Sequence, residues 1–114
     1  GNFFQGMLVQ TPLFLQELNR SVRPKDLVEI YQNHYAGEPF VRVIEAPFDN
    51  ELDEGYLSPT ACNGSNRIDL MVFGRDQQIL VVARLDNLGK GAAGAAVQNL
   101  NLMLGREESS GISE

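Results

Sequence analysis

Residues 85–105 read Leu-Asp-Asn-Leu-Gly-Lys-Gly-Ala-Ala-Gly-Ala-Ala-Val-Gln-Asn-Leu-Asn-Leu-Met-Leu-Gly. An apolar, strand-like stretch over residues 78–85 ends where this run begins, and the run continues as a helix of small residues. One strand-to-helix junction therefore carries a polar Asp86-Asn87 corner and a glycine turn that exposes backbone. Ligands are held at such junctions. Gly89, Gly91 and Gly94 also spell G-x-G-x-x-G. A dinucleotide fingerprint, however, needs a second parallel strand with an acidic end roughly 20 residues on, and the residues after this run are few and polar to mixed. The glycines and alanines are better read as letting the helix pack closely on a neighbour.

The rest of the chain supplies a sheet. Residues 3–17 are rich in β-favouring side chains and read as a strand in which Pro12 marks a bulge, an edge or a break. Ser21, Arg23 and Pro24 set up a helix start, with Pro24 suited to the first helical position and Asp26 and Glu29 near the positive end of the dipole. Leu27, Ile30, Tyr31 and Tyr35 share one face, and Gly37 is a natural stop. Residues 40–44 form a short strand. Residues 67–73 and 78–85 form an antiparallel hairpin with Gly74-Arg75-Asp76 in the connection.

Between them, residues 45–59 carry Glu45, Asp49, Glu51, Asp53 and Glu54 among turn formers. Asp49-x-Glu51-x-Asp53 invites a calcium reading, but Glu54 stands where such a loop needs glycine and Thr60 where it needs a bidentate acid. A solvated loop is expected, and no metal. The element order fits an α+β fold: a mixed, mostly antiparallel sheet covered by helices. In the last helix Ala93, Val97, Leu100 and Leu104 lie on one stripe, widened by Ala92, Ala96 and Met103, so a broad face should be buried.

With 114 residues, 43% of them apolar, residues 1–114 should form a single domain, too short to hold a dinucleotide domain and a substrate domain together. A net charge of −6, with only Lys25 and Lys90 as lysines, argues against nucleic acid or an anionic membrane as partner. No stretch approaches the roughly 18 apolar residues of a membrane span, and the start lacks a charged leader followed by an apolar core. The lone Cys62 cannot form an intrachain disulfide. A reducing compartment, cytoplasmic or organellar, is therefore expected.

The string Asp86-Asn87-Leu88-Gly89-Lys90-Gly91-Ala92-Ala93-Gly94, followed by Val97-Gln98-Asn99 and Asn101-Leu102-Met103, resembles the C-terminal signature of N-acetyl-gamma-glutamyl-phosphate reductase. Aspartate-semialdehyde dehydrogenase, a relative, carries a similar D-N-x-x-K-G-A-A segment, but its helix does not usually continue Gln-Asn-x-Asn-x-Met. Gly1-Asn2-Phe3 with Gly6-Met7, Tyr35-Ala36-Gly37-Glu38-Pro39-Phe40-Val41-Arg42-Val43 and Asn63-Gly64-Ser65-Asn66 resemble further pieces of the reductase pattern in the same order.

The resemblance implies the C-terminal domain architecture of glyceraldehyde-3-phosphate-dehydrogenase-like enzymes. It implies a parent enzyme that uses NADP to turn N-acetylglutamyl 5-phosphate into N-acetylglutamate 5-semialdehyde in arginine biosynthesis. The family's nucleophile lies in a G-C-Y-P-T context and its histidine in an H-R-H-x-P-E segment, both before the G-N-F strand. Neither occurs here, so this chain is expected to be a catalytically silent piece that forms the substrate-side, dimer-forming domain of a homo-oligomer. The helix over residues 88–105 is expected to pack on a nucleotide-binding domain outside the chain. Alternatives are the corresponding domain of aspartate-semialdehyde dehydrogenase and a non-catalytic oligomerisation module.

Asn87 is the leading ligand residue, because an amide offers both a donor and an acceptor, as a nicotinamide carboxamide requires. The resemblance adds Lys90, Gly91 and Gln98 at the cofactor's nicotinamide end. Asp86 reads as a cap for the following turn. Arg42 is a candidate for a substrate carboxylate or phosphate, against an ion pair with the acidic loop. Cys62 has no nearby histidine and does not sit in the family's cysteine pattern, so it reads as a small buried side chain. His34, in the last turn of the first helix, reads as semi-exposed and structural.

Overall fold

The computed structural model describes residues 1–75 and 77–113. Four strands form the main sheet in the order β1-β6-β5-β2: β1 is Met7–Phe14, β2 Val41–Ile44, β5 Ile68–Arg75 and β6 Gln78–Leu85. β6 pairs antiparallel with both β5 and β1, whereas β2 runs parallel to β5. The sheet is thus mixed and mostly antiparallel, as the sequence implies.

Pro12 lies opposite Leu80 within β1, an edge strand, where its missing N–H can face outward. The expected strand over residues 3–17 is shorter at both ends, and Leu15–Glu17 forms a 3-10 turn. Gly74 and Arg75 do not belong to the hairpin connection. They pair with Ile79 and Gln78, so the strands run on to the turn. Asp76, also assigned to that connection, lies outside the described residues.

The helix α1, Pro24–His34, opens with Pro24 and with Asp26 accepting the Arg23 backbone N–H at 2.8 Å. It lays Leu27, Val28 and Tyr31 on Val72, Ile79 and Val81, with Leu13 and Leu15 alongside. Ile30 is 42% exposed, contrary to the sequence reading, because the buried arc is centred between Leu27 and Val28 and leaves Ile30 outside. His34 is exposed and meets the Tyr35 ring edge-on at 4.7 Å.

The segment over residues 45–59 covers the opposite face and is not simply solvated. Phe48 packs on Phe73 with ring centroids 4.4 Å apart, and Leu52–Asp53 (β3) pairs with Tyr56–Leu57 (β4) in a small hairpin. Glu54 and Gly55 both have positive φ, as a tight hairpin turn requires. Glu51 reaches the sheet as a carboxylate partner for two arginines, Arg84 and Arg42. Asp69 and Arg84 are cross-strand partners, 0% and 1% exposed, with an Arg84 Nη2 to Asp69 Oδ2 distance of 2.7 Å. Arg84 also donates to Glu51 at 2.5 Å, and Arg42 joins Asp69 and Glu51. A buried ion pair persists only when all its donors and acceptors are satisfied.

The last helix enters through a π turn, Gly89–Ala93, before α2, Gly94–Met103. Its apolar stripe is not buried on the chain's own sheet. Val97 is 39% exposed, Leu100 51%, Leu104 58% and Met103 83%, because α2 turns its polar face inward. Among the described residues of α2, only Asn101 is buried. No helix among the described residues is long and apolar enough to cross a membrane.

Candidate functional site at the Asp86-Asn87 corner

Asp86 and Asn87 follow β6 directly and knit three separated segments together. Asp86 accepts the Leu88 N–H at 2.9 Å, which caps the following turn, and also the Gly64 N–H at 2.8 Å and the Gln5 side-chain amide at 2.8 Å. The N–H of Gly64, opposed by burial but joined by those of Leu88 and Gly89, holds this carboxyl below the usual carboxylate range. Asn87 accepts the Gly6 N–H on Oδ1 at 2.7 Å. That bond fixes the amide's orientation and leaves Nδ2 as its donor.

Gly91 stands beside Asn87: a Cβ there would lie 3.8 Å from the Asn87 Cβ, an ordinary contact. Its N–H goes to the Asp86 carbonyl at 2.9 Å. Lys90 and Gln98 come together in a second cluster. The Lys90 ammonium donates to Gln98 Oε1 at 2.6 Å and lies 5.6 Å from the Phe40 ring centre. Burial pushes this amine below its ordinary value, and Glu108 and Glu38 oppose only part of that. Gln98 Oε1 also accepts Asn66 Nδ2 at 2.9 Å, and Gln98 Nε2 donates to Glu108 at 2.6 Å. The four residues expected at the cofactor thus split into Asn87, half-buried with the exposed Gly91 beside it, and a braced pair, Lys90 and Gln98.

Arg42 lies apart from this corner, its Nε 2.9 Å from Asp69 Oδ1 and its Nη2 3.2 Å from Glu51. The ion-pair reading therefore describes its position. Cys62 is 1% exposed and donates to Asp69 Oδ2 at 3.2 Å. Burial, and then the Asp69 carboxylate, push its thiol up, away from the thiolate a nucleophile needs. Cys62→Ser in the full-length protein should therefore leave turnover within about threefold and cost on the order of 1 kcal/mol of stability. A fall of several orders of magnitude in a folded variant, read by steady-state kinetics, would return Cys62 to the chemistry.

The glycines act mainly by close approach. A Cβ on Gly94 would sit 2.2 Å from Asn66 Oδ1 and 2.9 Å from the Gly89 carbonyl, and one on Gly89 would sit 2.8 Å from the Ser65 carbonyl. The small residues let the helix start press on the 62–66 turn, in accord with the packing reading. Gly94→Ala should cost about 1–3 kcal/mol through overpacking, outweighing the usual helical gain of alanine. A urea midpoint at or above that of the parent protein would contradict this packing.

Sequence reasoning missed Gln5, Asn66, Asn101 and the Asp69–Arg84 pair. The last two had a visible signal, charged residues inside otherwise apolar strands. Gln5 and Asn66 are distant in sequence from what they touch, and Asn101 meets the carbonyls of Glu108 and Ser110 just beyond its own helix, where no periodic signal marks it.

Residues 1–87 match the family described as semialdehyde dehydrogenase, dimerisation domain. The chain is similar to a protein named N-acetyl-gamma-glutamyl-phosphate reductase 2 from Nostoc sp., 50% identical over 117 residues, covering 98% of this chain and 36% of that protein. It is 47% identical over 115 residues to the N-acetyl-gamma-glutamyl-phosphate reductase of Trichormus variabilis, covering 98% and 36%. With that of Brucella ovis the identity is 44% over 108 residues, covering 93% and 34%. The chain thus spans about a third of the length of these curated relatives. The family match takes in the whole four-stranded sheet and stops at the corner residue Asn87, so the chain belongs to the semialdehyde dehydrogenase dimerisation-domain family.

Proposed function

We propose that this chain is the substrate-side, dimer-forming part of an NADP-dependent reductase that converts N-acetylglutamyl 5-phosphate to N-acetylglutamate 5-semialdehyde. The names and identities of the relatives support the reaction. The observation that carries a cofactor role for this chain is the fixed amide of Asn87, its oxygen held by the Gly6 N–H. The residues present fit a nicotinamide: Nδ2 offers a donor for the carboxamide oxygen, and Gly91 beside it presents no side chain. When bound, NADPH supplies the hydride that reduces the acyl group to the aldehyde.

Asn87 orients that end of the cofactor, and Asp86 holds the corner rigid through its backbone N–H partners. Lys90 and Gln98 support the corner, Gln98 accepting from both Lys90 and Asn66. The nucleophile is a cysteine of the longer protein, whose thiolate displaces phosphate from the acyl phosphate to give a thioester. Arg42 acts within the Asp69 network rather than on substrate. The exposed apolar stripe of α2 packs on the nucleotide-binding part of the longer protein, the sheet domain forms a homo-oligomer of at least two subunits, and the enzyme works in the cytoplasm.

The test is a rate comparison on the full-length protein. NADPH oxidation with N-acetylglutamyl 5-phosphate should exceed that with aspartyl 4-phosphate. Preference for the aspartyl substrate would transfer the chain to the related dehydrogenase, and no turnover with either would leave an oligomerisation module.

A further inference from the structure

The α2 helix shows its apolar residues to solvent and buries an amide, the reverse of an ordinary amphipathic helix. Asn101 is 5% exposed, while Leu100 and Leu102 beside it are 51% and 54% exposed. Both hydrogens of its side-chain amide are used: Nδ2 donates to the Glu108 carbonyl at 3.0 Å and to the Ser110 carbonyl at 2.9 Å. Its own backbone carbonyl accepts the Arg106 N–H at 2.9 Å, just past Gly105, whose φ of +63° turns the chain back. One residue thus grips the returning segment at three points.

That segment then runs back along α2 towards the corner. Glu108 takes the Gln98 amide, and the Ser113 carbonyl accepts the Asn66 N–H at 2.8 Å. Gly111, Ile112 and Ser113 form one wall of a shallow cavity of ≈ 390 Å³ whose other walls include Asp86, Gly89 and Gly94. Asn66 lies in the turn whose Gly64 N–H is held by Asp86. A continuous set of contacts therefore leads from Asn101 through residues 106–113 to the turn that fixes Asp86 and Asn87.

We propose that Asn101 is a positioning residue for the cofactor corner, acting by holding residues 106–113 against the Asn66 turn. This rests on the NADP-reductase reading above. Removing the amide leaves two carbonyls without their donor and frees the segment, so the turn loses its Ser113 partner and the corner its backing. Acylation of the cysteine outside this chain does not depend on that corner.

The experiment uses full-length protein, with Asn101→Leu as an isosteric apolar variant and Asn101→Ser as a milder one that keeps room for water. NADPH affinity, the rate of phosphate release and hydrogen exchange over residues 62–67 and 106–113 are measured together. We expect the NADPH Kd to rise about fivefold or more, exchange in both segments to speed up, and phosphate release to stay within about twofold. Asn101→Gln, which keeps the donor, should recover part of the affinity. An unchanged Kd in a folded variant overturns the proposal, as does an equal fall in phosphate release and affinity, which would mark a general loss of structure. If the parent protein binds no NADPH, the functional reading fails first, and with it the role given to Asn101.

Discussion

Asp69→Ala should cost the protein about 3–5 kcal/mol, because it strips a buried guanidinium of its main partner. Arg84 is 1% exposed, and Glu51 alone would remain to balance it. Arg42 and Arg67, which also bind Asp69 Oδ1 at 2.9 Å, would be left facing each other without the carboxylate between them. A loss of that size is a large share of the stability of an ordinary domain, so the variant should be mostly unfolded or recovered in poor yield. A urea midpoint corresponding to less than about 1 kcal/mol of loss would contradict a charge cluster held together by Asp69.

The same carboxyl makes a pH prediction. Burial alone would raise its pKa, but the hydrogen bonds from Arg42, Arg84 and Cys62 outweigh it and hold the group at about 2. A depressed carboxyl contributes stability that is fully present above its unfolded value near 4 and is lost as pH falls towards 2. Acid titration of the parent protein should therefore show a stability decline in that window, and the decline should be shallower in any Asp69 variant that folds.

Asn87→Ala should weaken cofactor binding and slow turnover together. Nδ2 is the donor offered to a ligand while Oδ1 already accepts the Gly6 N–H, so one hydrogen bond to a neutral group is lost, worth about 0.5–1.5 kcal/mol or roughly 2- to 12-fold in Kd. A ring displaced by about 1 Å can cost as much as 100-fold in turnover. Alanine also removes the acceptor of the Gly6 N–H, which blurs the result. Asn87→Asp separates the two effects: it keeps an oxygen for Gly6 but places a second acceptor where the carboxamide oxygen needs a donor. Its NADPH affinity should be at least as poor as that of the alanine variant, with thermal stability closer to that of the parent. Measured by fluorescence titration, an unchanged Kd in both would leave the amide as a structural tie.

The strands and the first helix were legible because their signals are local. Two apolar runs over residues 67–73 and 78–85 joined by a short connection, Pro24 at a helix start and Pro12 compatible with an edge each specify a conformation without reference to distant residues. The corner was legible through its residue types and its place after an apolar strand, and Asp86 caps the turn as its chemistry suggests. The acidic segment was misread because composition cannot show that Glu51 is drawn inward by Arg84, a partner 33 residues away. The inward face of the last helix was not legible for a related reason. Its apolar spacing is real, but the local interaction that decides which face turns inward is the grip of Asn101 and Gln98 on residues 106–113, and polar residues carry no periodic signal of it.

A single-turnover experiment on the full-length Asn87→Asp and Cys62→Ser enzymes, following phosphate release and NADPH oxidation separately, tests the division of labour most directly. With the nucleophile outside this chain, as proposed, both variants should release phosphate at nearly the parent rate. Asn87→Asp alone should oxidise NADPH slowly if the corner holds the nicotinamide as proposed. Loss of the phosphate burst in a folded Cys62→Ser enzyme, or hydride transfer and NADPH affinity both unchanged in Asn87→Asp, would contradict it.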